Sequence, residues 1–278
     1  MLIDAHQHLW KLADRAGHWP PSALAAIYRD FDPADLRPLL HTNQVHGTVL
    51  VQSLPTDADT RYLLAVANEA NFVQGVVGWV DLLAANASAQ IAALATHSKL
   101  KGLRPMLQDL PDTQWITDPG LAPAVQAMQA HDLVFDALVL PQHLKALRVF
   151  ALQHPALPIV IDHAAKPEIA LGRLDPWRQD ISALAALPQV HCKLSGLLTE
   201  AGTHGQLSEL QPYVHHLFSA FGPERLIWGS DWPVLNLASD YRSWLEMART
   251  LCAAQPGMSD ALLSNIFGGN ARRFYRLP

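Results

Sequence analysis

Cysteine is nearly missing from this chain, with two, Cys192 and Cys252, among 278 residues. Each sits in an apolar run, so both are read as buried free thiols, the usage of a reducing compartment. Charge is scarce too, at 16% of residues, and the lysines and arginines form neither a block nor an aromatic-basic stripe. A nucleic acid or an anionic membrane is therefore not an expected partner. No apolar run approaches the roughly 18–20 residues that cross a bilayer. The first residues show no basic segment followed by an apolar stretch of the secretory kind. The expectation is a cytoplasmic protein.

Several catalytic signatures are also missing. Without GxGxxG or GxxxxGK[ST] there is no glycine-rich cradle for a dinucleotide or a nucleotide phosphate. Without GxSxG there is no nucleophile elbow. There is no HExxH and no cysteine cluster for zinc.

What the chain does have is apolar material, half of its residues, arranged in a repeating order. Short runs rich in β-branched residues alternate with Ala/Leu-rich segments of helical period. The strand candidates are 2–6, 47–53, 75–82, 100–106, 133–139, 158–163, 190–195 and 225–231. Helices are expected between them, for example at 59–70, 87–97, 121–131, 142–154 and 239–254. The runs alternate little, as parallel strands covered on both faces should. Eight strand–helix units of about 30 residues each fit a TIM-like (β/α)8 barrel of the α/β class. A doubly wound sheet is the rival. No linker divides the chain, so residues 1–278 are read as one domain. The stretch 11–38 is expected to be a loop with a short helix.

In a barrel, reactive groups belong at the C-terminal ends of the strands, and polar side chains gather there. Strand 1, in LIDAHQHLW, delivers His6 and His8, two positions that share a face of an extended segment. Strand 4 delivers Arg104, and strand 6 Asp162 and His163. Strand 7 supplies Lys193 and Ser195, and strand 8 Asp231, in WGSDWP. Gln52, Ser53, Asp81 and Asp136 lie at or near the other strand ends. Alternation places His163 toward the site and Asp162 on the opposite, structural face. A lysine inside a barrel is costly unless it meets an anion or acceptor, so Lys193 is a candidate for substrate binding, with a snorkelling lysine as the bland option. Arg104 either offers a fork to a carbonyl or pairs with a barrel-end acid. Trp10 either tucks under the rim or lines the pocket. His215 and His216, in a helical stretch, are read as surface residues.

DxHxHxW on strand 1, DHxxKP on strand 6, CKLSGL on strand 7 and GSDWPV on strand 8 together resemble the amidohydrolase superfamily. The closest likeness is to its lactonase branch, with L-fuconolactonase-like sugar lactonases and 2-pyrone-4,6-dicarboxylate lactonase. The resemblance covers essentially the whole chain. It implies a barrel that opens a cyclic ester with water. It also implies a divalent ion on the strand-1 HxH pair and the strand-8 aspartate, here His6, His8 and Asp231, with His163 matching the histidine after strand 6. The superfamily's bridging strand-4 lysine or glutamate has no counterpart, since Arg104 and Met106 stand there. Strand 5 has Asp136 and no histidine. The expectation is one zinc or manganese ion, or none, and no binuclear centre. L-fuconolactonase-like relatives tend to carry a histidine where this chain has Met106, which makes Met106 a candidate specificity position.

The expected chemistry is water attack on a lactone carbonyl, most naturally that of a sugar acid. Asp231 acts as base, His6, His8 and Arg104 or a metal stabilise the oxyanion, and His163 and Lys193 contact substrate oxygens. Met106, Ser195 and Trp10 complete the candidate substrate contacts. A lactone isomerase, a metal-dependent decarboxylase and a non-catalytic binding barrel are the alternatives.

Overall fold

The computed structural model describes residues 1–278 apart from Ala16, Thr203 and His204. Eight parallel strands follow chain order: β1 (Leu2–Gln7), β2 (Val45–Val51), β3 (Val73–Gly78), β4 (Leu100–Leu103), β5 (Val134–Ala137), β6 (Ile159–Ile161), β7 (Val190–Leu194) and β8 (Leu226–Trp228). Each of the eight strands read from the sequence is present. Several stop short of the predicted end: β3 halts at Gly78, which leaves Asp81 in an exposed turn whose carboxylate accepts from Leu83 N. The β8 end returns to β1 through His6 O, which accepts from Asp231 N at 2.8 Å, and His8 N, which donates to Trp232 O at 2.7 Å. The fold is a TIM-like (β/α)8 barrel.

Helices α1 (Pro33–Thr42), α2 (Asp57–Glu69), α3 (Ala87–Leu94), α4 (Ala122–Ala130), α5 (Leu144–Gln153) and α6 (Trp177–Ala185) occupy successive connections. The single turn α7 (Leu197–Ala201) and α8 (Leu207–Phe221) share the seventh, and α9 (Tyr241–Ala253) follows β8. The expected 11–38 loop is shorter than predicted. Asp32 caps α1 by accepting from Ala34 N and Asp35 N, with Pro33 in the first helical position, where its missing N–H costs nothing.

The apolar residues divide between two layers. Leu50, Val76, Phe135, Ile159, Ile161, Cys192 and Leu194 face the helices, while Ile3, Val49, Val77, Val134, Val160 and Ile227 fill the lumen. Phe274, Tyr275 and Leu277 of the C-terminal segment plug the lumen from below. Both cysteines are buried and unpaired, as expected. No described helix is long and apolar enough to cross a membrane.

Asp4 ties the barrel shut. It faces outward from β1 and accepts from Ser230 N (2.8 Å), Ser230 Oγ (2.6 Å) and Tyr241 Oη (2.8 Å), joining β1 to the β8 loop and to α9. Asp4→Ala strands these buried donors, and each orphaned group costs about 1–3 kcal/mol. A melting temperature lowered by about 5–15 °C is expected, read by circular dichroism. An unchanged value would show that Asp4 does not hold the seam.

Candidate active site

Backbone irregularities aim the site. In β1 three steps from Asp4 to Gln7 lie against two from Thr48 to Leu50, a bulge. Simple alternation after Ile3 and Ala5 would turn His6 outward; the extra residue turns it and His8 into the lumen, the re-aiming that bulges provide. Gly229 lets β8 approach, because an added Cβ there would stand 2.6 Å from His6 Cβ. After β6 the chain enters the left-handed region at His163, Ala164, Ala165 and Lys166, and Asp231 shares that conformation after β8.

These features bring His6, His8, His163 and Asp231 together. Asp231 Oδ1 lies 3.3 Å from His8 Nε2, 3.7 Å from His6 Nε2 and 3.8 Å from His163 Nε2. His6 and His8 are 3.2 Å apart through their Nε2 atoms. Burial alone would raise the Asp231 carboxyl, but the histidines around it, His163 foremost, outweigh burial and hold it well below the usual carboxylate range. Burial pushes the His163 imidazole down to about 4. The site therefore presents an ionised carboxylate beside a neutral imidazole.

His8 Nδ1 lies 2.7 Å from the Val51 carbonyl, which only accepts, so in the neutral ring Nε2 carries a lone pair toward Asp231 and His6. Acceptor facing acceptor at 3.3 Å needs a proton or a cation between them. Three imidazole nitrogens and one carboxylate oxygen are a donor set that suits one divalent ion such as zinc, and the ligand atoms of His6, His163 and Asp231 lie within 4.8 Å of one another. Arg104 Nη1 approaches His6 Nε2 to 3.4 Å. A guanidinium thus stands beside a candidate metal ligand, at the strand-4 end.

Above this cluster opens a cavity of about 360 Å3, lined by His8, Arg104, His163 and Asp231 together with Met106. Arg104 donates to Asp162 at 3.1 Å and to the Gln52 carbonyl, while its buried Nε has no partner. Three predicted residues lie behind the cavity. Lys193 is fully buried and reaches Asp136 (2.6 Å), Asp162 (3.0 Å) and His6 Nδ1 (3.0 Å). Ser195 is buried against His163, its Oγ 2.9 Å from Nδ1. Its hydroxyl does not line the cavity, so Ser195, His163 and Asp231 do not form a nucleophilic triad. Trp10 takes the option of tucking under the rim, edge-on to Trp19 and Phe31.

Asp162 departs from its predicted face. It continues the inward face of Val160 and meets Lys193 and Arg104 in the lumen. His163 comes inward because the chain leaves the strand there. Gly196 accommodates it: its φ is +66°, and a Cβ would fall 2.7 Å from His163 Nδ1.

A family model described as amidohydrolase matches residues 3–277. The chain belongs to the amidohydrolase family. It is 58% identical over 278 residues to an L-fucono-1,5-lactonase of Burkholderia ambifaria, covering 99% of this chain and 95% of that one. Identity is 36% over 287 residues to an L-fucono-1,5-lactonase of Burkholderia multivorans, over 99% and 96% of the two chains. A crystal structure of an amidohydrolase from Burkholderia multivorans with bound zinc superposes with a TM-score of 0.92 at 36% identity, over the full length of both chains.

Lys166, Thr199, Glu200 and Gln108, none of them a candidate from sequence, also line the cavity. Lys166 stood in the quoted DHxxKP, but only the left-handed run after β6 carries it to the rim. Glu200 lies in α7, whose one turn gives no periodic signal.

Zinc titrated into chelator-dialysed protein is expected to fill one site in calorimetry. Ser195→Ala should weaken it about 10–100-fold by freeing the far nitrogen of His163. A second equivalent, or unchanged affinity in the variant, would contradict the geometry.

Proposed function

We propose that this amidohydrolase opens a sugar-acid lactone of the L-fucono-1,5-lactone kind with water. The observation that carries the reading is an ionised, buried Asp231 and the guanidinium-bearing Arg104 lining one cavity. The lactonase names of the relatives give the substrate class.

The lactone carbonyl oxygen lies toward Arg104, whose positive charge meets negative charge as it develops. Asp231 accepts a proton from the attacking water. Its carboxylate is too weak a base to keep that proton for long. The water oxygen bonds to the carbonyl carbon, the ring C–O bond breaks, and the departing alkoxide takes the proton from Asp231 to give the hydroxy acid. A divalent ion on His6, His8, His163 and Asp231 would, when bound, polarise the carbonyl and lower the pKa of water. Lys193 and Ser195 hold His6 and His163 in place from behind. The two buried, unpaired cysteines support a reducing, cytoplasmic setting.

A panel of five- and six-membered aldonolactones, followed by pH indicator and by NMR of the products, tests the reaction. Acid release with a ring-opened product is expected, and an isomeric lactone without acid would replace hydrolysis by isomerisation. Asp231→Asn should lower kcat about 10²–10⁴-fold with the fold retained. Turnover close to wild type in that variant would remove Asp231 from the mechanism.

A further inference from the structure

The cavity carries more charge than lactone opening uses. Besides Asp231 and Arg104, its lining includes Lys166, Glu200 and, at the exposed rim, Asp109. The cations number two and the carboxylates three, and each cation already faces an acid of the chain. Arg104 Nη1 meets Asp162 at 3.1 Å, and Lys166 Nζ stands 3.8 Å from Glu200 Oε1. Among the described residues, each lining cation has a carboxylate of the chain beside it, so a substrate that carries a permanent anion finds no unpaired one.

Lys166 and Glu200 are half-buried and come from neighbouring strand ends, after β6 and at the start of the β7 connection. At 3.8 Å the pair is a loose contact, longer than a charge-assisted hydrogen bond. A hydroxyl has both a proton to give and lone pairs to offer, so it fits between an ammonium and a carboxylate and satisfies each. A substrate carboxylate or sulfonate would satisfy only Lys166, while Glu200 and Asp231 repelled it at close quarters in a partly desolvated cleft.

Building on the lactonase reading, we propose that Glu200, acting with Lys166, sets specificity by admitting neutral polyhydroxylated lactones and rejecting lactones that carry an anionic group. Burial raises the Glu200 carboxyl while Lys166 opposes the rise, in keeping with its place inside the pocket rather than out in solvent.

Two probes separate the cases by calorimetry: the 1,5-lactam of L-fuconic acid, neutral and not hydrolysed, and muconolactone, which carries one carboxylate. The wild type should bind the lactam and discriminate against muconolactone. Glu200→Gln should weaken the lactam about tenfold, the loss of one hydrogen bond to a charged group, and tighten muconolactone by a similar factor through the released Lys166. Lys166→Met should weaken the lactam with no gain for muconolactone. Glu200→Asp, which keeps the charge, should retain the discrimination and guards against a folding artefact. Equal changes for both probes in Glu200→Gln, or none, would overturn the proposal. The binding measurements need no turnover. A wild type that opened no lactone would sink the hydrolase assignment and leave this test standing.

Discussion

The rest of the site hangs on one buried ammonium. Lys193 Nζ lies inside the barrel, with no solvent exposure, between Asp136 at 2.6 Å and Asp162 at 3.0 Å. An isolated charge in such a place would cost many kcal/mol. Here two carboxylates answer two cations, Lys193 and Arg104, and a neutral donor joins them: Tyr275 Oη donates a hydrogen bond to Asp136 at 2.7 Å. Burial raises the Asp136 carboxyl to about 6 against the pull of Lys193. Asp162 goes the other way, because Lys193, His6 and Arg104 overcome its burial. Such a network fixes geometry more than it adds stability, since removing one member leaves its partner charged and unpaired.

The network forms a floor. Below it lie the aliphatic lumen and the C-terminal plug; above it lie the histidines and the cavity. His6 sits at the boundary, where Lys193 and Asp162 compete for Nδ1 and Arg104 approaches Nε2. That competition fixes the ring between the charged layer and Asp231. The positive charge of Arg104 and Lys193 beside His6 opposes added cation density there.

The barrel was largely legible because its evidence is periodic. Eight apolar runs at regular spacing survive errors of up to four residues at an end. The site was legible in outline for the same reason, since His6, His8, Arg104, His163 and Asp231 all fall where strands end. What alternation could not supply was which way a side chain turns once the chain leaves the ideal strand. The β1 bulge and the left-handed run from His163 to Lys166 each break the period of two, and each decides who faces the cavity. Asp162 and His163 show the consequence: both point inward, although they are adjacent. Lys193 carried a correct alarm, a lysine in a barrel, but sequence could not say whether its anion belonged to the substrate or to the protein.

That distinction separates chemistry from choice of substrate. The candidate catalytic side chains are held from behind, His6 by Lys193 and Asp162, His163 by Ser195, and Arg104 by Asp162 and Gln52. His6 and Arg104 cannot be exchanged without disturbing the charged floor. Met106, Leu138, Lys166 and Glu200 touch the same cavity without belonging to that floor. Met106 and Leu138 present apolar surface, and Lys166 and Glu200 present a donor beside an acceptor. A ring held between them would set its C–H edge against the first pair and its hydroxyls against the second. Where L-fuconolactonase-like relatives tend to place a histidine, Met106 leaves that wall unable to donate or accept a strong hydrogen bond. The choice of ring and substituent is then made by residues that can change while the barrel, its buried charges and the proton path stay as they are.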